Sequence, residues 1–129
     1  MKYLGIDFGL KNLGLAVAET PLAEPFGQHH YQQTAQAIEF LARLVKEQNI
    51  QTIVLGLPEG QLESVVKDFG NQLFLATNLP IFYQDETLST IEAKQKLLQA
   101  HKPQKKRRQD HQAAAAVILQ AYLDQLEQA

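Results

Sequence analysis

A chain of 129 residues with no cysteine and a net charge of -2 suits one domain with its own core, residues 1–129 throughout. It excludes disulfides and thiolate metal sites. Hydrophobic residues make up 45% and charged residues 20%, the balance of a soluble globular protein. No apolar run approaches the roughly 20 residues of a membrane span, and the N-terminus enters a core strand too early for a signal peptide. A cytoplasmic protein with no membrane partner is expected.

In chain order, Lys2–Asp7 and Leu13–Glu19 read as an antiparallel hairpin around a short turn. The glycines of that turn, Gly9 and Gly14, are expected to permit positive φ and to let a phosphate or an ion approach the backbone. Pro21 and Pro25 interrupt the chain, and the polar stretch Phe26–Thr34 is expected to be an edge or solvated strand. Thr34–Gln48 carries Ile38, Leu41, Ala42 and Val45 at helical spacing, with Thr34 as its expected cap. Thr52–Leu57 is continuously apolar apart from its first residue, which suits a strand buried on both faces. A helix over Leu62–Thr77, a strand over Ile81–Tyr83 and the acidic pair Asp85-Glu86 follow. Ser89-Thr90-Ile91-Glu92 matches a capping box and predicts a helix to Ala100. A basic loop, His101–Arg108, precedes a last helix over Asp110–Glu127, whose Ala113–Ala116 run would allow close approach to the sheet. Three strands followed by alternating helices and strands make an α/β domain, a mixed sheet with helices on both faces.

Charge is unevenly placed. Lys94, Lys96, Lys102, Lys105, Lys106, Arg107 and Arg108 hold seven of the twelve basic residues. A local basic segment on a mildly acidic chain is what a polyanion such as nucleic acid meets.

Three acids stand at element boundaries: Asp7 near the end of the first strand, Glu86 after a late strand, and Asp110 at the start of the last helix. In an α/β sheet the C-terminal ends of parallel strands share one edge, where ligands bind. Carboxylates gathered there repel one another unless a cation lies between them. Oxygen ligands without cysteine favour Mg²⁺ or Mn²⁺, and such ions suit phosphodiester hydrolysis. Each acid also has a plain structural role open to it: Asp7 as a turn residue, Asp85-Glu86 as a solvated pair before a helix, Asp110 as an N-cap. His111 is expected at the surface, and His29 and His30 are given no role. Lys11 and the cluster Lys105, Lys106, Arg107 and Arg108 are the candidate phosphate contacts.

Four separated segments resemble the successive motifs of the YqgF/RuvX family. They are Gly5-Ile6-Asp7-Phe8-Gly9-Leu10-Lys11-Asn12-Leu13-Gly14, Val54-Leu55-Gly56-Leu57-Pro58, Asp85-Glu86-Thr87-Leu88-Ser89-Thr90-Ile91-Glu92-Ala93, and Asp110-His111-Gln112-Ala113 onward. The resemblance runs in order over nearly the whole chain. It implies a ribonuclease H-like fold with a five-stranded sheet, its first three strands antiparallel. It also implies a metal-dependent nuclease acting on structured nucleic acid, either a Holliday junction or the 5′ end of precursor 16S ribosomal RNA. The family's acidic positions fall on Asp7, Glu86 and Asp110. The chain departs from the family pattern in three places: Asn12 and Thr87 stand where arginine is common, and Glu59-Gly60 shorten a usually longer polar loop.

Two other readings compete. The Asp-x-Gly hairpin also occurs in actin-like and sugar-kinase-like nucleotide-binding proteins, although these usually need two such domains. A nucleic-acid-binding module with weakened catalysis would fit the missing arginines. A monomer or weak homodimer is expected.

Overall fold

The computed structural model describes residues 1–58, 60–86 and 111–128. The expected helix from Ser89, the basic loop, Glu59 and Asp110 lie outside these residues. The described elements are β1 (Tyr3–Phe8), β2 (Asn12–Ala18), β3 (Glu24–His30), α1 (Thr34–Glu47), β4 (Thr52–Leu57), α2 (Leu62–Thr77), β5 (Ile81–Asp85) and a last helix, here α3 (His111–Gln128).

The strands form one sheet in the order β3-β2-β1-β4-β5. β1 pairs antiparallel with β2, and β2 with β3, whereas β4 runs parallel to both β1 and β5. The expected mixed five-stranded sheet with three leading antiparallel strands is therefore present. β4 lies between two parallel neighbours with Thr52, Ile53, Val54 and Leu55 all buried, as its apolar run implies.

Successive strand residues point to opposite faces, and the two faces differ in size. One packs Leu4, Ile6, Leu13, Leu15 and Leu55 against Leu41 and Leu44 of α1 and Val66, Phe69 and Leu73 of α2. The other packs Ala16, Ala18, Ala23 and Val54 against Ala115, Ala116, Ile118, Leu119 and Leu123 of α3. Only half of the alanine run reaches this core, since Ala113 is exposed while Ala115 and Ala116 are buried. Gly5 is what admits the helix. A Cβ there would lie 2.8 Å from Leu119 Cβ and 3.2 Å from the Ala115 carbonyl oxygen.

α3 is further fixed by a buried amide. Gln120 is fully buried; its Oε1 accepts the Ala23 N–H at 2.9 Å and its Nε2 donates to the Pro21 carbonyl at 2.9 Å and to Asp124 Oδ1 at 3.0 Å.

Three local expectations need correction. β3 spans Glu24–His30 rather than Phe26–Thr34, because Tyr31 turns in to the core and the helix is already wound at Thr34. Gln33, not Thr34, is the N-cap residue, and Gln36 Oε1 accepts the N–H groups of Gln32 and Gln33 at 3.0 Å each. β5 extends to Asp85, paired in register with Leu57. Pro25 sits inside β3, an edge strand, opposite Ala16 at a break in register; an edge strand tolerates the lost donor. Both helices preceding a parallel strand end before a left-handed asparagine, Asn49 (φ 57) and Asn78 (φ 61), the usual way to satisfy the last carbonyls.

Candidate active site

The β1–β2 turn carries the first candidate residues. Gly9 N–H donates to the Asn12 carbonyl at 2.8 Å, closing a tight loop over Leu10 and Lys11. Gly9 and Gly14 do not adopt positive φ; among the described glycines, Gly27 and Gly60 do. The positive φ expected at those two glycines is therefore absent. The turn is held from outside instead. Tyr31 Oη donates to the Gly9 carbonyl at 2.5 Å, Tyr31 N–H donates to the Lys11 carbonyl at 3.0 Å, and Lys11 Nζ donates to the Gln32 carbonyl at 3.5 Å. Asn12 Oδ1 and His30 Nδ1 lie 3.1 Å apart. His30 thus braces the turn, and His29 stacks flat on Phe40, centroids 3.7 Å apart; these roles lie in contacts between distant segments, which a polar stretch does not advertise.

Alternation along the strands puts Asp7 on the α3 face, two residues beyond Gly5. Gly56 is on the same face, where a Cβ would meet Ile118 of α3. Its register partner is Gln84, and Glu86 follows two residues later. The Glu86 carboxylate is held back against this face, with Oε2 3.0 Å from the Cβ position at Gly56. Asp7 and Glu86 therefore share one face and one edge, the C-terminal ends of parallel strands. Asp85 falls on the opposite face.

Electrostatics agree with that placement. The Glu86 carboxyl is pushed above the usual carboxylate range, first by burial, then by the negative charges of Asp7 and Asp85. A half-buried acid crowded by like charge is a site that a cation would relieve. The donor set, carboxylates on oxygen, fits a hard divalent ion.

α3 runs antiparallel to β1. Tyr122 packs edge-on against Tyr3 at the strand's start, centroids 6.0 Å apart, and Ala115 lies over Gly5 farther along. Its N-terminal end, which begins at His111, therefore lies toward the edge that holds Asp7 and Glu86. Asp110, Lys105, Lys106, Arg107 and Arg108 lie outside the described residues. Among the described residues no three acids or histidines come together as a metal-binding group. A groove of about 760 Å³ opens at the other end of the sheet beside Lys2, Gln48, Asn49 and Thr77, away from both acids. No described helix is long and apolar enough to cross a membrane.

Known proteins match this arrangement. The RuvX family, described as Holliday junction resolvase, matches residues 1–125. A Desulfitobacterium hafniense protein named "Putative pre-16S rRNA nuclease" is 33% identical over 135 aligned positions, covering 99% of this chain and 95% of that protein. A protein of the same name from an Anaeromyxobacter species is 35% identical, covering 96% and 97%. Among solved structures, T. thermophilus RuvC in complex with a Holliday junction substrate superposes with a TM-score of 0.76 at 12% identity, covering 100% of this chain and 96% of that one. The fowlpox virus resolvase bound to Holliday junction DNA gives 0.64 at 17% identity, covering 98% and 99%. These likenesses show the ribonuclease H-like resolvase fold, and the family match with its close relatives makes this chain a member of the RuvX family of nucleases.

Proposed function

We propose that this chain is a Mg²⁺- or Mn²⁺-dependent nuclease whose substrate is structured nucleic acid, with Asp7, Glu86 and Asp110 as its carboxylates. The names of the relatives at 33–35% identity favour precursor 16S ribosomal RNA over a Holliday junction. One observation carries the reading: Glu86 is half-buried on the same face and edge as Asp7, and its proton affinity is raised by burial and by that neighbour.

Asp7 and Glu86 would hold the ion from two strands. A divalent cation there supplies charge to activate water and to offset the charge that builds on the phosphoryl oxygens. Asp7 is positioned by the β1 ladder and by the Tyr31-braced turn. Glu86 is positioned by the surface at Gly56 and kept partly out of water, which strengthens its pull on a cation. Lys11, exposed on the turn, would contact a backbone phosphate, with Lys105, Lys106, Arg107 and Arg108 as further contacts.

The test is a cleavage panel with precursor 16S RNA, a four-way junction and duplex DNA, each with Mg²⁺, Mn²⁺ or chelator. Asp7→Asn and Glu86→Gln should each reduce cleavage to the level seen in chelator, while the fold is retained by circular dichroism. A folded Asp7→Asn protein that cuts at the wild-type rate would overturn the assignment.

A further inference from the structure

Gly56 has no backbone reason to be glycine, because it does not adopt positive φ. Its reason is space. A Cβ built at Gly56 would lie 2.6 Å from Ile118 Cδ1, 3.0 Å from Glu86 Oε2 and 3.3 Å from Glu86 Cγ. The first is the free end of a flexible side chain and can swing aside. The other two belong to a candidate metal ligand. Gly5 is different: the atoms nearest its Cβ position are Leu119 Cβ, the Ala115 carbonyl oxygen and Leu119 Cδ2, all on α3. Gly5 makes room for a helix, whereas Gly56 makes room for a helix side chain and for a carboxylate.

We propose that Gly56 is a positioning residue for Glu86. The bare backbone at Gly56 is the surface against which the Glu86 carboxylate rests, and it sets how far that carboxylate reaches toward Asp7. The inference rests on Glu86 being a metal ligand. A methyl group at position 56 displaces Glu86 Oε2 by a few tenths of an ångström. Mg²⁺ demands near-ideal octahedral geometry at about 2.0–2.1 Å, so a ligand shift of that size lengthens or bends a bond the ion needs. Gln84, the register partner of Gly56, is buried on the same face, and its Nε2 has no hydrogen-bond partner among the described residues.

The test separates the two neighbours. Ile118→Val deletes Cδ1 and nothing else, so Gly56→Ala in the Ile118→Val background leaves Glu86 as the group in conflict. Thermal unfolding of the metal-free protein and the Mn²⁺ dissociation constant by calorimetry are read together. The double variant should unfold below Ile118→Val alone only by the share of the loss that Glu86 causes, and should bind Mn²⁺ at least about tenfold more weakly. Mn²⁺ binding equal to that of Ile118→Val would overturn the proposal. A second reading does not depend on metal. If position 56 presses on the carboxylate, Gly56→Ala should lower the unfolding temperature less in a Glu86→Ala background than in the wild type, and equal losses would overturn it. If Glu86→Gln binds Mn²⁺ as the wild type does, it is the assignment of Glu86 as a ligand that fails, and the unfolding comparison still tests the contact.

Discussion

The two faces of the sheet fail in opposite ways. The α1/α2 face is filled by large side chains, among them Leu4, Ile6, Leu41, Phe69 and Leu73. The α3 face is filled by alanines and by α3 itself, brought close by Gly5 and Gly56. The first face holds the domain together by volume, and losing atoms there should hurt. The second holds a helix at short range beside the acids, and gaining atoms there should hurt. The proposed chemistry falls on the face where space is rationed, where a carboxylate pressed against backbone is held in place and partly dehydrated.

The largest expected effect is on the volume-filled face. Leu55→Ala, at a position with no exposure, should cost about 2–5 kcal/mol through lost burial and a residual cavity, measured by urea unfolding. A loss below about 1 kcal/mol would mean that this face relaxes easily and that the contrast is weak. Next comes Gly5→Ala on the other face. The added methyl meets the Ala115 carbonyl, part of the helix backbone, so about 1–3 kcal/mol should be lost by overpacking. An unchanged midpoint would show that α3 has room to move.

Gly70 sharpens the comparison because it breaks it. It lies on α2, yet a Cβ there would collide with the Tyr83 hydroxyl. The volume-filled face thus has one tight point, where β5 meets α2. Gly70→Ala should destabilise by about 1–3 kcal/mol, and Tyr83→Phe should return part of that loss. A double-mutant cycle with no coupling would place the strain elsewhere.

The smallest effect is electrostatic. Glu86 has a raised pKa in the folded protein. The stability this contributes is therefore fully present below the ordinary value of 4.5 and is lost as pH rises through the raised value. The metal-free Glu86→Gln protein should melt above the wild type near neutral pH, and the gap should close in acid. A gap that stays constant from acid to neutral pH would show that charge on Glu86 is not its cause.

Much of this was legible in the sequence because the signals were local. The apolar run Thr52–Leu57 and the helix Leu62–Thr77 carry their own periodicity, and Asp7 and Glu86 announced themselves at strand ends. What escaped was set by contacts between segments far apart in the chain. β3 has exposed residues along most of its length, so its bounds come from pairing with β2 rather than from any pattern of its own. The face taken by Asp85 depends on strand β5 continuing past Tyr83, which only its pairing with Leu57 reveals. Gly56 was visible as part of a motif, but a missing side chain does not say which neighbour it accommodates. Asp110 and the basic cluster Lys105–Arg108 lie outside the described residues.

The buried Gln120 amide has a consequence for rotational phase. Its bonds to Ala23, Pro21 and Asp124 fix α3 about its own axis as well as along it. Each residue of a helix turns the chain by about 100° and advances it by about 1.5 Å. The nine steps from Gln120 back to His111 therefore carry a defined angle to the edge that holds Asp7 and Glu86. A single residue inserted between them would leave the helix just as long-lived and as apolar, yet would swing whatever precedes it about 100° around the axis. Point substitutions in that stretch test packing, whereas insertions and deletions test aim.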